Sequence, residues 1–171
     1  ESRGLGDVYK RQRLVKALKS GDIDASKLVS MDIDFYNILS VIRGKFWGLD
    51  EQQIQDLIII QSPAAKELLL RMMSVGTIRD AFNELSNTKY RDLIPQSENE
   101  LDSIAEFERS FELAIYQSSL NSFTKMFSLA TTVGITKLTA FEVRNLAAIA
   151  YAVEQKIPTE TTMSKLILEK E

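Results

Sequence analysis

Asp34-Phe35-Tyr36-Asn37-Ile38-Leu39-Ser40-Val41-Ile42-Arg43-Gly44-Lys45-Phe46-Trp47 decides the fold class. Phe35, Ile38, Leu39, Ile42 and Phe46 recur at i, i+3, i+4, i+7 and i+11, which stacks them on one face of a helix. Gly48 ends that helix. Working outward, Asp50-Glu51-Gln52-Gln53 reads as an N-cap and capping box opening a short helix through Ile60. Ser62-Pro63 starts another to about Ser74, with proline at the first helical position, and Thr77 caps a piece carrying Ile78, Ala81, Phe82 and Leu85. The polar run Pro95 to Asn99 is the best internal break. The pattern beyond it predicts a long helix from about Glu98 to Leu129, about 45 Å in length, with Leu101, Ile104, Phe107, Phe111, Ala114, Ile115, Phe123, Met126 and Phe127 as its stripe. Thr131 to Gly134 reads as a turn, Thr136 or Thr139 as the cap of a helix reaching Gln155, and Pro158 as the opening of a last helix. Nothing alternates with period two, so the class is all-α.

Residues 1–12 are set aside first. Asp7-Val8-Tyr9-Lys10-Arg11-Gln12 is what the codons GAT GTG TAT AAG AGA CAG encode, the transposase mosaic-end adaptor used to prepare sequencing libraries, so the stretch reads as a translated artefact. The remaining chain divides into 13–94, a partly truncated helical unit, and 95–171, a C-terminal helical unit. The chain has 21 Lys+Arg and 24 Asp+Glu, and without the first twelve residues 18 and 22, a mild net charge of −4. The dense basic footprint of a nucleic-acid binder is missing. Zero Cys excludes a disulfide scaffold or thiolate site and fits a reducing compartment. Zero His removes the commonest general base and zinc ligand. The longest apolar runs, Leu57 to Ile60 and Leu146 to Val153, fall well short of the roughly 20 residues that span a bilayer, so any membrane contact must go through a partner.

A faint echo runs through the chain at an offset of 108. Asp34-Phe35-Tyr36-Asn37-Ile38 lines up with Glu142-Val143-Arg144-Asn145-Leu146, Gly48-Leu49-Asp50 with Lys156-Ile157-Pro158, and Ile58-Ile59 with Leu166-Ile167. Only Asn37/Asn145 and Ile59/Ile167 are identical. Glu142-Val143-Arg144-Asn145-Leu146, a small-residue helix and then Lys156-Ile157-Pro158 resemble the C-terminal segment of the C subunit (d in eukaryotes) of A/V-type rotary ATPases. Asn37-Ile38-Leu39, Ile42-Arg43-Gly44-Lys45 and Gly48 to Ile54 resemble a second family segment, and Phe107 to Phe123 the family's long helix. The likeness covers about residues 31–168. Ala147, Ala148 and Tyr151, where larger or charged residues are usual, mark a divergent member.

The resemblance implies a C-terminal fragment of a coupling subunit, built of repeated three-helix units that form part of a funnel-like helical assembly. It implies a peripheral subunit on the cytoplasmic side of the membrane, with central-stalk subunits and the membrane rotor ring as partners. It also implies torque transmission for ATP-coupled proton or sodium transport, with no catalysis and no cofactor in this subunit. The alternative is a helical adaptor or scaffold of another complex.

Four residues of the two echoed segments are the candidate site: Asn37, Glu142, Arg144 and Asn145. Arg144 and Asn145 lie beside an apolar run, and an unpaired buried Arg costs several kcal/mol, on the order of 3–5. We read Arg144 as an internal brace with Glu106, Glu108 or Glu112 as its partner; direct contact with ring or stalk is the other reading. Asp22-x-Asp24-x-Ser26 resembles the start of a calcium loop, but Lys27 and Ile33 stand where such a loop needs Gly and Glu. Gly44-Lys45 lacks the glycine-rich turn and the following Ser or Thr of a phosphate loop. Trp47 and Phe46 read as core or lip residues. The carboxylates from Glu98 to Glu112 read as a solvated face.

Overall fold

The computed structural model describes residues 21–60, 62–124 and 128–168 of the 171-residue chain. The adaptor reading of residues 1–12, and Met126 and Phe127 of the long stripe, lie outside them. The described residues form seven α-helices: α1 Ile23–Phe46, α2 Glu51–Leu57, α3 Pro63–Ser74, α4 Ile78–Asn83, α5 Glu100–Asn121, α6 Leu129–Glu154 and α7 Thr159–Met163. Short 3-10 turns cover Glu84–Asn87, Arg91–Leu93 and Ser122–Thr124, and the described residues contain no strand. The class is all-α, as the periodicity requires.

The caps behave as their chemistry dictates. Asp50 Oδ1 accepts from Gln53 N–H at 2.8 Å while Gln53 Oε1 accepts from Asp50 N–H at 3.0 Å, a complete capping box. Ser62 Oγ accepts from Ala65 N–H, and Thr77 Oγ1 from Asp80 N–H. Gly48 ends α1 at φ 69°, a left-handed position that glycine adopts without a Cβ clash.

The second half departs from the sequence-based expectation. The long helix stops at Asn121, and α6 runs unbroken from Leu129 through the expected Thr131–Gly134 turn, with Ser128 as its N-cap. Gly134 is therefore a mid-helix residue, and the reason is a close crossing. A Cβ there would lie 2.1 Å from Ser122 Oγ and 2.9 Å from the Ser119 carbonyl oxygen. Only glycine lets α6 pass that close to the end of α5.

α1 is the spine. It packs on α3, α5 and α6, while α5 and α6 also pack on each other. One core cluster runs across the 94/95 break, joining Ile38, Val41 and Ile42 of α1 to Met72, Phe82, Phe107 and Phe111. Phe111 anchors it, 4.8 Å from the ring of Phe35, 4.7 Å from Tyr90 and 5.5 Å from Phe107. Each such side chain contributes about 1.5–3 kcal/mol by burial, and the ring pairs about 0.5–1.5 kcal/mol more. Leu101, expected in the stripe, is exposed instead.

Candidate interaction surface and its internal braces

The two echoed segments make the same structure. In the first, Asn37 Nδ2 donates to the Ile59 carbonyl and Asn37 Oδ1 accepts from Ile59 N–H, both at 2.7 Å. In the second, Asn145 Nδ2 donates to the Ile167 carbonyl at 2.7 Å and Oδ1 accepts from Ile167 N–H at 3.1 Å. The four residues of the clamps are the two identical pairs of the sequence echo. Each side-chain amide satisfies both backbone groups of an isoleucine 22 residues on, which straps the segment after the short helix onto the long one.

The turns between match bond for bond. Trp47 N–H donates to Arg43, Gly48 to Lys45 and Leu49 to Gly44; at the same offset Gln155 donates to Tyr151, Lys156 to Val153 and Ile157 to Ala152. Lys156, at φ 53°, holds the left-handed position that Gly48 holds in the first copy.

The clamps differ in what covers them. Asn37 is 1% exposed, under α3 and the Thr88–Tyr90 segment. Asn145 is only partly buried, and Leu146, Ile149, Val143 and Val153 around it are exposed. With Phe123, Ile135, Leu138 and Leu168, residues Leu146 and Ile149 form an open apolar groove of about 450 Å³ along α6. Glu142 stands exposed at its rim.

Arg144 is half-exposed, so the burial premise fails for it, yet a partner is present. Its guanidinium takes Glu112 in a bidentate pair at 2.5 and 2.7 Å, and it lies over the Phe141 ring at 5.2 Å. Glu112 is the more enclosed of the two, at 13% side-chain exposure. The other two candidates are engaged elsewhere: Glu108 pairs with Arg43 at 2.7 Å, and Glu106 accepts from the Gln96 and Ser97 amides. Lys137 pairs with Asp32 at 2.5 Å, tying α6 to α1. Sequence reasoning missed Arg43, Lys137 and Asp32, whose ion pairs cross between helices and leave no local spacing signal.

Among the described residues, three groups titrate away from their ordinary values. Asp22 caps α1 through Asp24 and Ala25 N–H, and its other oxygen accepts from Ser128 Oγ and Leu129 N–H. These bonds, led by the one from Ala25, hold its carboxyl below 3.8. The first residue of the calcium-like spacing, Asp22, is thus a cap for two helices. Lys45 donates to the Met73 and Val75 carbonyls at the end of α3, and desolvation lowers its pKa. Burial first, and then the charge of Asp34, push the Tyr90 phenol far above 10, so Tyr90 is a fixed donor to Asp34 at 2.6 Å rather than a base. Lys89 adds an ion pair to the same carboxylate at 3.2 Å. The open groove of about 560 Å³ beside them is lined by Arg71, Lys89, Asp34, Glu67, Tyr90 and the hydroxyls of Ser30, Ser62 and Thr88. No helix among the described residues is long and apolar enough to cross a membrane.

Comparison with known proteins finds sequence relatives across most of the chain. The C subunit of the A-type ATP synthase of Pyrococcus horikoshii is 26% identical over 143 residues, 80% of this chain and 38% of that protein. Its Pyrococcus abyssi counterpart is 29% identical over 143 residues, 81% and 38%, and that of Methanocaldococcus jannaschii 24% over 146 residues, 82% and 37%. The chain thus spans little more than a third of the length of these relatives. No solved structure matches significantly. The ATP synthase (C/AC39) subunit family matches residues 5–165, most of the chain including Asn37, Ile59 and Asn145 of the clamps, and the chain belongs to that family.

Proposed function

We propose that this chain is part of a non-catalytic coupling subunit of an A/V-type ATP synthase or ATPase, joining the central stalk to the membrane rotor ring. It sits peripherally on the cytoplasmic side and passes torque between ATP chemistry and proton or sodium transport. The observation that carries the reading is the family match over residues 5–165, with relatives named as C subunits of A-type ATP synthases.

A torque-bearing part must resist shear between its helices, and this chain has the means. The Asn37 and Asn145 clamps, Arg144–Glu112, Arg43–Glu108 and Lys137–Asp32 each join elements distant in sequence. Side-chain amides satisfied at both ends fix one packing geometry, because slipping by one residue leaves polar groups unpaired. In this reading 13–94 and 95–171 are successive units of the funnel, and Asn37, Asn145 and Arg144 are braces.

The test is binding of the whole protein to isolated parts. Purified ring in detergent and the soluble central-stalk subunits are offered separately, followed by co-sedimentation. Capture of both supports coupling. Capture of soluble partners alone, with the ring left free, rejects it in favour of a helical adaptor.

A further inference from the structure

The groove on α6 has an occupied counterpart in the same chain. At the offset of 108, buried Ile38 corresponds to Leu146 at 59% exposure, and buried Val41 to Ile149 at 39%. Ile38 and Val41 owe their burial to what packs over α1, namely α3 with Leu69, Met72 and Met73 turned inward, then α4 and α5. Asp34, which receives the Tyr90 hydroxyl and the Lys89 ammonium, corresponds to Glu142 at the groove's rim. The second unit therefore repeats the seat, the clamp and the acidic post, while the described residues hold no helix over them.

We propose that this groove receives an amphipathic helix of α3's chemistry, with a leucine- or methionine-rich face on Leu146 and Ile149 and a tyrosine hydroxyl or lysine on Glu142. We further assign that helix to the part of the same polypeptide that relatives carry outside the aligned stretch, which covers 36–38% of their length. A second copy of the described residues is a poor source, because its own Leu69, Met72 and Met73 are buried against α1. An apolar seat with one acidic post selects a helix with one donor or cation at its edge, as the first unit shows. The inference does not depend on which stalk or ring subunit the protein meets.

The test builds the missing layer and removes its contacts. A chain extended after Leu168 with a second copy of residues 61–94 reproduces the order of the first unit. The extended chain is expected to melt several degrees higher, with amide exchange across 142–150 slowed about tenfold or more. Leu146→Asp, at an exposed position, should leave the unextended chain's melting unchanged and cancel the gain, and Glu142→Lys should cancel part of it. An extension that leaves melting and exchange unchanged, or a gain that survives Leu146→Asp, overturns the groove. The source is read by the same exchange on the whole-length protein alone. Protection of 142–150 there supports it, whereas protection only after adding another subunit, or only in a dimer, overturns it.

Discussion

Asn37 and Asn145 make the same pair of hydrogen bonds to a buried isoleucine 22 residues on, but Asn37 itself lies in the core and Asn145 is only partly buried. The difference separates a clamp's geometry from its energetic weight. In the first unit, loss of the amide leaves the Ile59 N–H and carbonyl buried without partners. In the second, Ile167 is as buried as Ile59, and the partly exposed Asn145 side of the clamp is where water can replace the lost amide. Asn37→Leu should lower stability by about 2–6 kcal/mol, from two stranded polar groups at roughly 1–3 kcal/mol each. Asn145→Leu should cost on the order of 1 kcal/mol. Denaturant titration of both variants measures the contrast, and equal losses would mean that the second clamp is buried in solution.

The two echoed segments also place different side chains at one equivalent pair of positions. In the first, Gly44 faces Ile54, and a Cβ on Gly44 would lie 2.6 Å from Ile54 Cγ1. In the second, the same two positions hold Ala152 and Thr162, a larger residue opposite a smaller one. Gly44→Ala should therefore cost about 1–3 kcal/mol by overpacking. Adding Ile54→Thr, which imports the second unit's pair, should recover part of that loss. A double-mutant cycle shows it as a favourable coupling; strict additivity would break the equivalence of the two pairs.

Much of the fold was legible because helices advertise themselves locally. The stripe from Phe35 to Ile42, the Asp50 capping box and the Ser62-Pro63 start depend on neighbours within four residues, and the structure keeps them; Phe46, the last residue of the expected stripe, is exposed instead. Gly134 was misread because a glycine that ends a helix and one that lets two helices touch look alike in sequence; only Ser119 and Ser122, more than ten residues back, tell them apart. The clamps were half legible. Their four residues stood out as identities, but nothing in the spacing says that an asparagine reaches a backbone 22 residues away. Arg144's partner was narrowed to three glutamates on one helix, and the choice of Glu112 required knowing where α6 crosses it.

That crossing is itself a place to sharpen the comparison, since α1 and α6 both send an arginine to α5. Arg43 meets Glu108 through one nitrogen, whereas Arg144 takes Glu112 with two. Bidentate geometry and the more enclosed carboxylate favour the second pair. Arg144→Ala should cost about 1 kcal/mol and Arg43→Ala about 0.5 kcal/mol, both well below the Asn37 effect. Exchanging the charges, as Arg144→Glu with Glu112→Arg, should restore more stability than either single change leaves. A fully stable Arg144→Ala chain would remove it from the braces.

Effects of similar small size are expected at the turns, and there the two echoed segments should respond in opposite directions. Gly48 and Lys156 hold the same left-handed position, φ 69° and 53°, with the same three closing hydrogen bonds. A side chain there brings Cβ close to the backbone carbonyl, a strain of about 1 kcal/mol. Gly48→Ala should therefore destabilise by about 1 kcal/mol. Lys156→Gly should stabilise by about 0.5 kcal/mol, the relief of strain being partly offset by the extra freedom glycine gives the unfolded chain. Thermal melts of the two variants decide the matter. If Lys156→Gly also destabilises, the lysine side chain is held by something the turn geometry does not include, and the likeness of the units stops at the backbone.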